Sequence, residues 1–515
     1  MIAALILVPF AAGGIAFLWP HDRGRRVLLV LAALAHTTLV AAAWLVRPPP
    51  ELGGRLAIDA TGLLFLSITS VLFLVAAMYC VGYLARERRG GHVDFVEHLY
   101  FSNEPETVFT GCLLMFLAAM TLVTLSQHFG WMWVGVEATT LASAPLIYFH
   151  RHHRSLEATW KYLLICSVGI ALALLGNFLL AAAAADGVID DGAQPVAAAV
   201  DRTHVADAAA NAVAGPPSML LSDLLHTKGI RVSWLQAAFL FFLVGYGTKM
   251  GLAPLHTWLP DAHSESPSVV SALLSGALLN CAFLGILRVH QVCVAAGVAE
   301  FSQNLLLIFG VLSMAVAATF ILGQTDFKRM LAYSSVEHMG IMSIGVGLGG
   351  VGAFGAAMHA INHSLAKATL FLVAGNILTV YGTKTARDIH GVMRAIPFSG
   401  VLWVAGFLAI TGAPPFGPFL SEFTVLKAAF DEGRPWIAVT YLALLALVFI
   451  GMANIVMPMA QGESNANPRL RTPREDWLAV LPPAALGILV LAMGIYVPPD
   501  LNTVLHEVAR SLGGN

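Results

Sequence analysis

The sequence predicts an all-α integral membrane protein of about fourteen transmembrane helices, and three observations carry that reading. Of 515 residues, 58% are hydrophobic and 11% are charged, whereas a soluble globule is about 25% charged. Mean hydropathy is +0.77. Apolar runs long enough to cross about 30 Å of hydrocarbon recur from one end of the chain to the other.

The first run, MIAALILVPFAAGGIAFLWP, has no basic segment at its start, so it reads as a spanning helix and not as a cleavable signal. Further runs lie near 26–46, 61–84, 108–125, 130–149, 158–184, 234–252, 269–291, 302–323, 329–349, 353–381, 398–428, 436–460 and 477–497. The connection 185–233 is rich in Ala, Asp and Pro and reads as an exposed, mobile loop without chemistry. No soluble domain is expected.

Sixteen of the 28 Lys and Arg residues lie beside odd-numbered connections, at HDRGRR, RERR, HRHHR, DFKR, KTARDIHGVMR and PRLRTPR, against seven beside even-numbered ones. The positive-inside rule makes the first set cytoplasmic and places both termini and 185–233 outside. Four other cations, Lys161, Lys249, Lys367 and Lys427, fall within helices or at their ends.

Several classes are excluded. A net charge of −2 gives no footprint for nucleic acid. Cys80, Cys112, Cys166, Cys281 and Cys293 form no CxxC pair, which argues against an iron–sulfur cluster or a disulfide framework and for packing roles. The string GVGLGG at 345–350 follows no strand, so it is no nucleotide site. No cofactor is expected, and the first partner is the lipid bilayer.

Chemistry concentrates in HAINHSLAK, residues 359–367. His359, His363 and Lys367 recur every four residues, which stacks them on one helix face with a rise of about 6 Å between neighbours. Ionisable groups at bilayer depth cost about 2.5–3.5 kcal/mol each, so a functional path facing the protein interior is the default. Histidine suits a relay because either ring nitrogen carries the proton, and bridging waters can close the spacing. The alternatives are structural hydrogen bonding or a metal site, for which no HExxH glutamate or cysteine is present.

Other groups join the row at depth. Glu137 lies in WMWVGVEATTLASAPLIYF, Glu337 and His338 in MLAYSSVEHMG, and Glu422 in PPFGPFLSEFTVL. For Glu137 and Lys249 the alternative is a structural ion pair; for Glu422, an interfacial acid near Lys427. His256, Asp261, His263 and Glu265 read as loop and capping residues or as a proton entrance. His150, His152 and His153, with Arg151 and Arg154, read as a solvated cytoplasmic face.

Glycine and proline interrupt two charged runs, the seventh at GYGTKMGLAPLHTWLPDAH and the twelfth at TGAPPFGPFLSEF. Unwound backbone is tolerated in a membrane only where it lines a cavity, and equivalent breaks in two halves point to inverted repeats. The expected organisation is helices one to three in 1–107, a first five-helix repeat in 108–291, and a second in 302–460. The last helix and a tail occupy 461–515.

The stretches KMGLAPLHTWLPDAHSESPSVVSALLSG, DFKRMLAYSSVEHMG and HAINHSLAKATLFLVAGNI resemble the antiporter-like membrane subunits of respiratory complex I and its hydrogenase relatives. Within that superfamily, VEATTLASAPLIYFHRHHRSLEATWKYLLICSVGIALALLGNFLL and NCAFLGILR most resemble the component F proteins of hydrogenase-4. The chain ends soon after its last helix, like members without the long lateral helix.

The resemblance implies a proton path through Glu137, Lys249, His338, His359, His363, Lys367 and Glu422, with no catalytic or redox centre of its own. It also implies partner membrane subunits, a redox arm, and the inner membrane of a bacterial or archaeal cell. Several relatives carry lysine in an SG-x-L-L-K pattern where this chain reads SGALLN, with Asn280. Asparagine holds no mobile proton, so water, His338 or another group must make that link. Water at Asn280 predicts that Asn280→Leu dries the route and that Asn280→Asp is tolerated. Three classes stay open: a proton-translocating subunit of a membrane oxidoreductase, a subunit of a cation/proton antiporter assembly, and an inert scaffold.

Overall fold

A computed structural model describes residues 1–87, 91–93, 100–185, 187–189, 218–466 and 475–514. Most of the connection 185–233 lies outside the described residues.

The described chain is helical apart from two short antiparallel strand pairs, Gly91–Val93 with Tyr100–Ser102 and Val188–Ile189 with Thr227–Lys228. Helices α1 (Ile2–Leu18), α2 (Asp22–Leu45), α3 (Ala60–Arg86), α4 (Glu106–Leu125), α5 (Phe129–Ile147) and α6 (His153–Ala184) form the first part. They are followed by α7 (Val232–Met250), α8 (Trp258–Glu265), α9 (Ser268–Ala295), α10 (Ala299–Leu322), α11 (Phe327–Leu348) and α12 (Gly350–Tyr381). The last are α13 (Pro397–Ile410), α14 (Gly417–Asp431), α15 (Pro435–Ala460), α16 (Trp477–Ile495) and α17 (Pro499–Ser511).

Among the described residues, nine helices are long and apolar enough to cross a membrane. Their burial separates centre from periphery. The apolar window of α9 is 100% buried, whereas that of α2 is 33% buried. Polarity is inverted relative to a soluble fold: Leu7, Phe10, Val168, Phe178, Ile308 and Ile488 are exposed, while Lys249, His263, Glu337, His338, His359, His363 and Lys367 are buried. An apolar exterior of that extent is stable against lipid and not against water.

Polar side chains fix the helix starts by accepting otherwise unpaired N–H groups. Asp59 accepts from Gly62 N–H at the start of α3, and Asp326 from Lys328 and Arg329 N–H at the start of α11. His152 caps α6 by accepting from Ser155 N–H, and its Nε2 lies 3.7 Å from Glu265. His150 Nδ1 is 2.9 Å from Asn103 Oδ1. These two histidines are half-buried and engaged in contacts, which corrects their reading as a solvated face.

The basic connections that are described gather at one end of the bundle, whereas Arg88, Arg89 and the PRLRTPR stretch lie outside the described residues. Arg26 pairs with Glu106 at 2.7 Å, Arg151 with Glu104 at 3.1 Å, and Lys384 with Glu265 at 2.8 Å, while Arg329 pairs with Asp261. The opposite end holds Arg288 with Asp59 at 2.6 Å and Arg47 with Glu507 at 3.0 Å. The tail is ordered as α17, which packs Val504, Leu505 and Val508 inward there.

Both expected breaks are present. Helix α7 stops at Gly251, whose φ of +86° and 2.5 Å clearance to Leu259 Cδ1 from an added Cβ require glycine. Side chains satisfy the interrupted backbone: Trp258 Nε1 donates to Thr248 O at 2.8 Å, and Ala253 N–H to Ser313 Oγ at 2.9 Å. The second break separates α13 from α14 at Gly412, φ +68°, where a Cβ would sit 2.0 Å from Glu422 Oε2. Glycine there makes room for the carboxylate. A third irregularity, unmarked by the sequence, is a π-helical turn at Leu274–Leu278 inside α9.

Candidate functional site

Two polar clusters line the interior, the second buried throughout and the first buried except for the half-buried Glu137 and Ser167. In the first, α5, α6 and α7 bring Glu137, Tyr162 and Lys249 together. Lys249 Nζ donates to Thr140 Oγ1 at 2.8 Å and to Tyr162 OH at 2.5 Å, and it stands 4.4 Å from the centre of the Tyr162 ring. Thr140 Oγ1 is 3.3 Å from Glu137 Oε2, and Ser167 Oγ donates to Glu137 Oε1 at 3.2 Å. Ser143 extends the group, 2.6 Å from Tyr162 OH. The acid and the lysine thus share a hydroxyl and form no direct ion pair.

The second cluster joins α11, α12 and α14. His338 Nδ1 faces His359 Nε2 at 2.9 Å, and His359 Nδ1 faces Ser421 Oγ at 2.9 Å. The His363 ring is 5.2 Å from that of His338, and among the described residues neither of its nitrogens has a hydrogen-bond partner. His338 therefore bridges the spacing of the α12 row from a neighbouring helix. Lys367 Nζ donates to Leu331 O at 2.8 Å and lies within electrostatic range of Glu337. Glu422 is buried beside His338 and His359, its Oε1 unpartnered. Lys427 is paired instead with Asp431 on the exposed side of α14.

Asn280 lies just past the π-helical turn, in the α-helical part of α9. Its Nδ2 donates to Gly276 O at 2.9 Å and to Ser364 Oγ at 2.7 Å, so it reaches the α12 row between His363 and Lys367. No hydrogen bond among the described residues joins Lys249 to Asn280.

The residues expected near an entrance differ in their surroundings. Asp261 is held by Lys161 at 2.9 Å and by Arg329 at the basic end. His263 is buried and stacks on Phe371 at 5.0 Å with both nitrogens unpartnered. His256 packs 6.0 Å from the Tyr333 ring, its Nδ1 unpartnered.

Residues 126–448 match the family described as NADH:quinone oxidoreductase/Mrp antiporter, TM. The chain belongs to this family. It is an antiporter-like, multi-pass membrane subunit of the hydrogenase-4 and complex I type, and the matched span holds every residue of both clusters. The chain is 33% identical over 502 residues to the hydrogenase-4 component F homolog of Methylacidiphilum infernorum, with 96% of each chain covered. Its fold is similar to that of a chain of the Mrp complex from Dietzia sp. (TM-score 0.79, 18% identity, 99% and 97% covered). It is also similar to a chain of respiratory complex I from Thermus thermophilus (TM-score 0.75, 24% identity, 100% of each covered).

Sequence reasoning missed the hydroxyls of this antiporter-like subunit. Thr140 follows Glu137 by three residues, one helical turn, and Ser421 precedes Glu422; both signals were available in the spacing. Tyr162 carried none, because its partner lies 87 positions away.

Proposed function

We propose that the chain is the proton-translocating, non-redox subunit of a multisubunit membrane oxidoreductase of the hydrogenase-4 or complex I type. Protons pass along Glu137, Lys249, His338, His359, His363, Lys367 and Glu422, with water and hydroxyls between them. The observation that carries this reading is the His338–His359 contact at 2.9 Å, which lies with His363 and Lys367 among fully buried side chains. A pair of facing imidazoles passes a proton by tautomer exchange, and no solvent competes for it.

In this reading fourteen helices span a bacterial or archaeal inner membrane. Residues 108–291 and 302–460 are inverted five-helix repeats, each with its broken helix, the N-terminal three helices pack beside them, and 461–515 adds the last helix and tail. The repeats give the path its two halves: Lys249 at the end of α7 with Glu137, and Lys367 with Glu337. A carboxylate near a lysine favours its protonated form, and withdrawal of that carboxylate in a low-dielectric surround favours release onward. His256, Asp261 and His263 form the way in from the basic end, and a redox arm supplies the driving electron flow.

The test is proton uptake by vesicles holding the complex during electron transfer. His338→Gln should stop translocation while electrons still flow. Full translocation in that variant contradicts the path. Cation exchange without any electron donor would place the chain in an antiporter assembly instead.

A further inference from the structure

We propose that His338, His359 and Glu422 form a binding site for a zinc-class divalent transition-metal ion. One ligating atom from each lies within 4.8 Å of the others, and all three side chains are buried. The one-turn spacing in the sequence drew attention to His359 with His363. The fold instead delivers His338 from α11 and Glu422 from α14 to His359 on α12.

The two imidazoles meet nitrogen to nitrogen, His338 Nδ1 to His359 Nε2 at 2.9 Å. Tetrahedral ligation with bonds of about 2.0–2.1 Å sets ligand atoms about 3.3 Å apart, so the two nitrogens part by a few tenths of an ångström, the rings turn to aim both lone pairs at the ion, and the carboxylate closes in from within 4.8 Å. Glu422 Oε1, buried and without a hydrogen-bond partner, supplies the oxygen ligand. Three protein ligands leave one position for water.

The far side of the His359 ring is already held, while that of His338 has no hydrogen-bond partner among the described residues and faces a carboxylate at ion-pair distance. His359 Nδ1 meets Ser421 Oγ at 2.9 Å, and His338 Nε2 lies 4.0 Å from Glu337 Oε2. Metal-bound histidines use such outward partners to fix the tautomer and orient the ring. On binding, the ring that donates in the His338–His359 hydrogen bond shifts its proton to the outward nitrogen. The two imidazoles then neither gain nor lose a proton. Charge is compensated as well: Glu422 as ligand and Glu337 behind His338 offset the dication, a condition for holding it in a low-dielectric interior. Lys367, His363 and the buried Tyr441, which faces Glu422 and Glu337, are titratable neighbours.

Binding stands on this geometry alone, whereas its consequence rests on the proposed relay: the ion occupies the nitrogens between which the proton passes. Metal therefore arrests translocation.

The experiment uses the purified full chain in detergent, titrated with Co²⁺ as an optical probe, displaced with Zn²⁺, and examined by zinc X-ray absorption. One Co²⁺ per chain with the visible bands of a four-coordinate ion is expected, and a zinc shell of two imidazoles with oxygen. His338→Gln and Glu422→Gln should each weaken binding at least tenfold. Ser421→Ala removes no ligand and should weaken it about tenfold, as loss of an orienting partner does. His153→Gln and His506→Gln, at exposed positions, should leave the bands unchanged. Absence of four-coordinate bands, or full affinity in both His338→Gln and Glu422→Gln, overturns the site. Zinc bound with the two-imidazole shell but without effect on translocation would keep the site and refute the relay through it.

Discussion

Lys249 reaches Glu137 through one hydroxyl: its Nζ donates to Thr140 Oγ1 at 2.8 Å, and Thr140 Oγ1 lies 3.3 Å from Glu137 Oε2. A rotating hydroxyl between a cation and a carboxylate lets the pair interact without locking into a fixed ion pair. Thr140→Val keeps the shape and deletes this link. It leaves a buried partner unsatisfied, at a cost of about 1–3 kcal/mol. Proton translocation by the reconstituted complex should fall several-fold with electron transfer retained; a rate equal to the parent's would show that the bridge has no part in transfer.

Asn280 spends both amide protons, on Gly276 O at 2.9 Å and on Ser364 Oγ at 2.7 Å. Its role here is to donate. The sequence-based expectation that Asn280→Asp is tolerated therefore reverses, because an ionised aspartate has no proton to donate and would face the Gly276 carbonyl. Asn280→Asp should lower the thermal unfolding midpoint in detergent, with a cost of about 1–3 kcal/mol. An unchanged midpoint would mean that the amide contacts contribute nothing.

Much of the architecture was legible in the sequence, because apolar length and glycine placement are local signals. The breaks at Gly251 and Gly412 follow from residues that tolerate positive φ beside prolines. The His338–His359 contact was not legible: the two lie 21 positions apart on separate helices, and only their packing decides which nitrogens meet. The π-helical turn that precedes Asn280 likewise has no composition of its own, since LSGAL reads as ordinary helix. The C-terminal helix α17 was passed over as a tail because its apolar residues form a stripe too short to span a membrane.

Topology follows from the two ends of the bundle. Arg387 and Lys228 are both exposed, the first among the basic connections and the second beyond α6. The native cysteines leave a quiet background, four being buried and Cys112 half-buried. Arg387→Cys and Lys228→Cys should label with an impermeant reagent from opposite sides, Arg387→Cys from the cytoplasm. Labelling of both from one side would refute the alternating arrangement and the repeats built on it.

At the end opposite the basic connections, Asp59 takes both terminal guanidinium nitrogens of Arg288, at 2.6 and 2.7 Å. Burial opposes ionisation of Asp59, but the Arg288 charge prevails and holds its carboxyl below the ordinary aspartate range. A depressed folded-state pKa gives stability that is present above the unfolded value and lost as pH falls through the folded one. Melting midpoints should therefore drop on acidification below about pH 4, and Asp59→Asn should remove that part of the drop. Arg288 is 2% exposed, and Asp59→Asn leaves it without a counter-charge, so the variant should also be destabilised at neutral pH, toward the lower end of about 3–5 kcal/mol. A pH profile identical to the parent's would show that the pair is not what acid breaks.

The central claim is that Lys249 carries a proton and does more than hold α5, α6 and α7 together. Its Nζ sits against Thr140 and Tyr162 in a fully buried pocket, where arginine could keep the charge and much of the hydrogen bonding. Guanidinium does not release its proton in any working pH range, so Lys249→Arg separates holding charge from passing protons. The measurement is the number of protons translocated per electron pair in vesicles carrying the complex. A fall in that ratio with electron flow maintained is the predicted result. A ratio equal to the parent's would make the lysine structural and contradict the path.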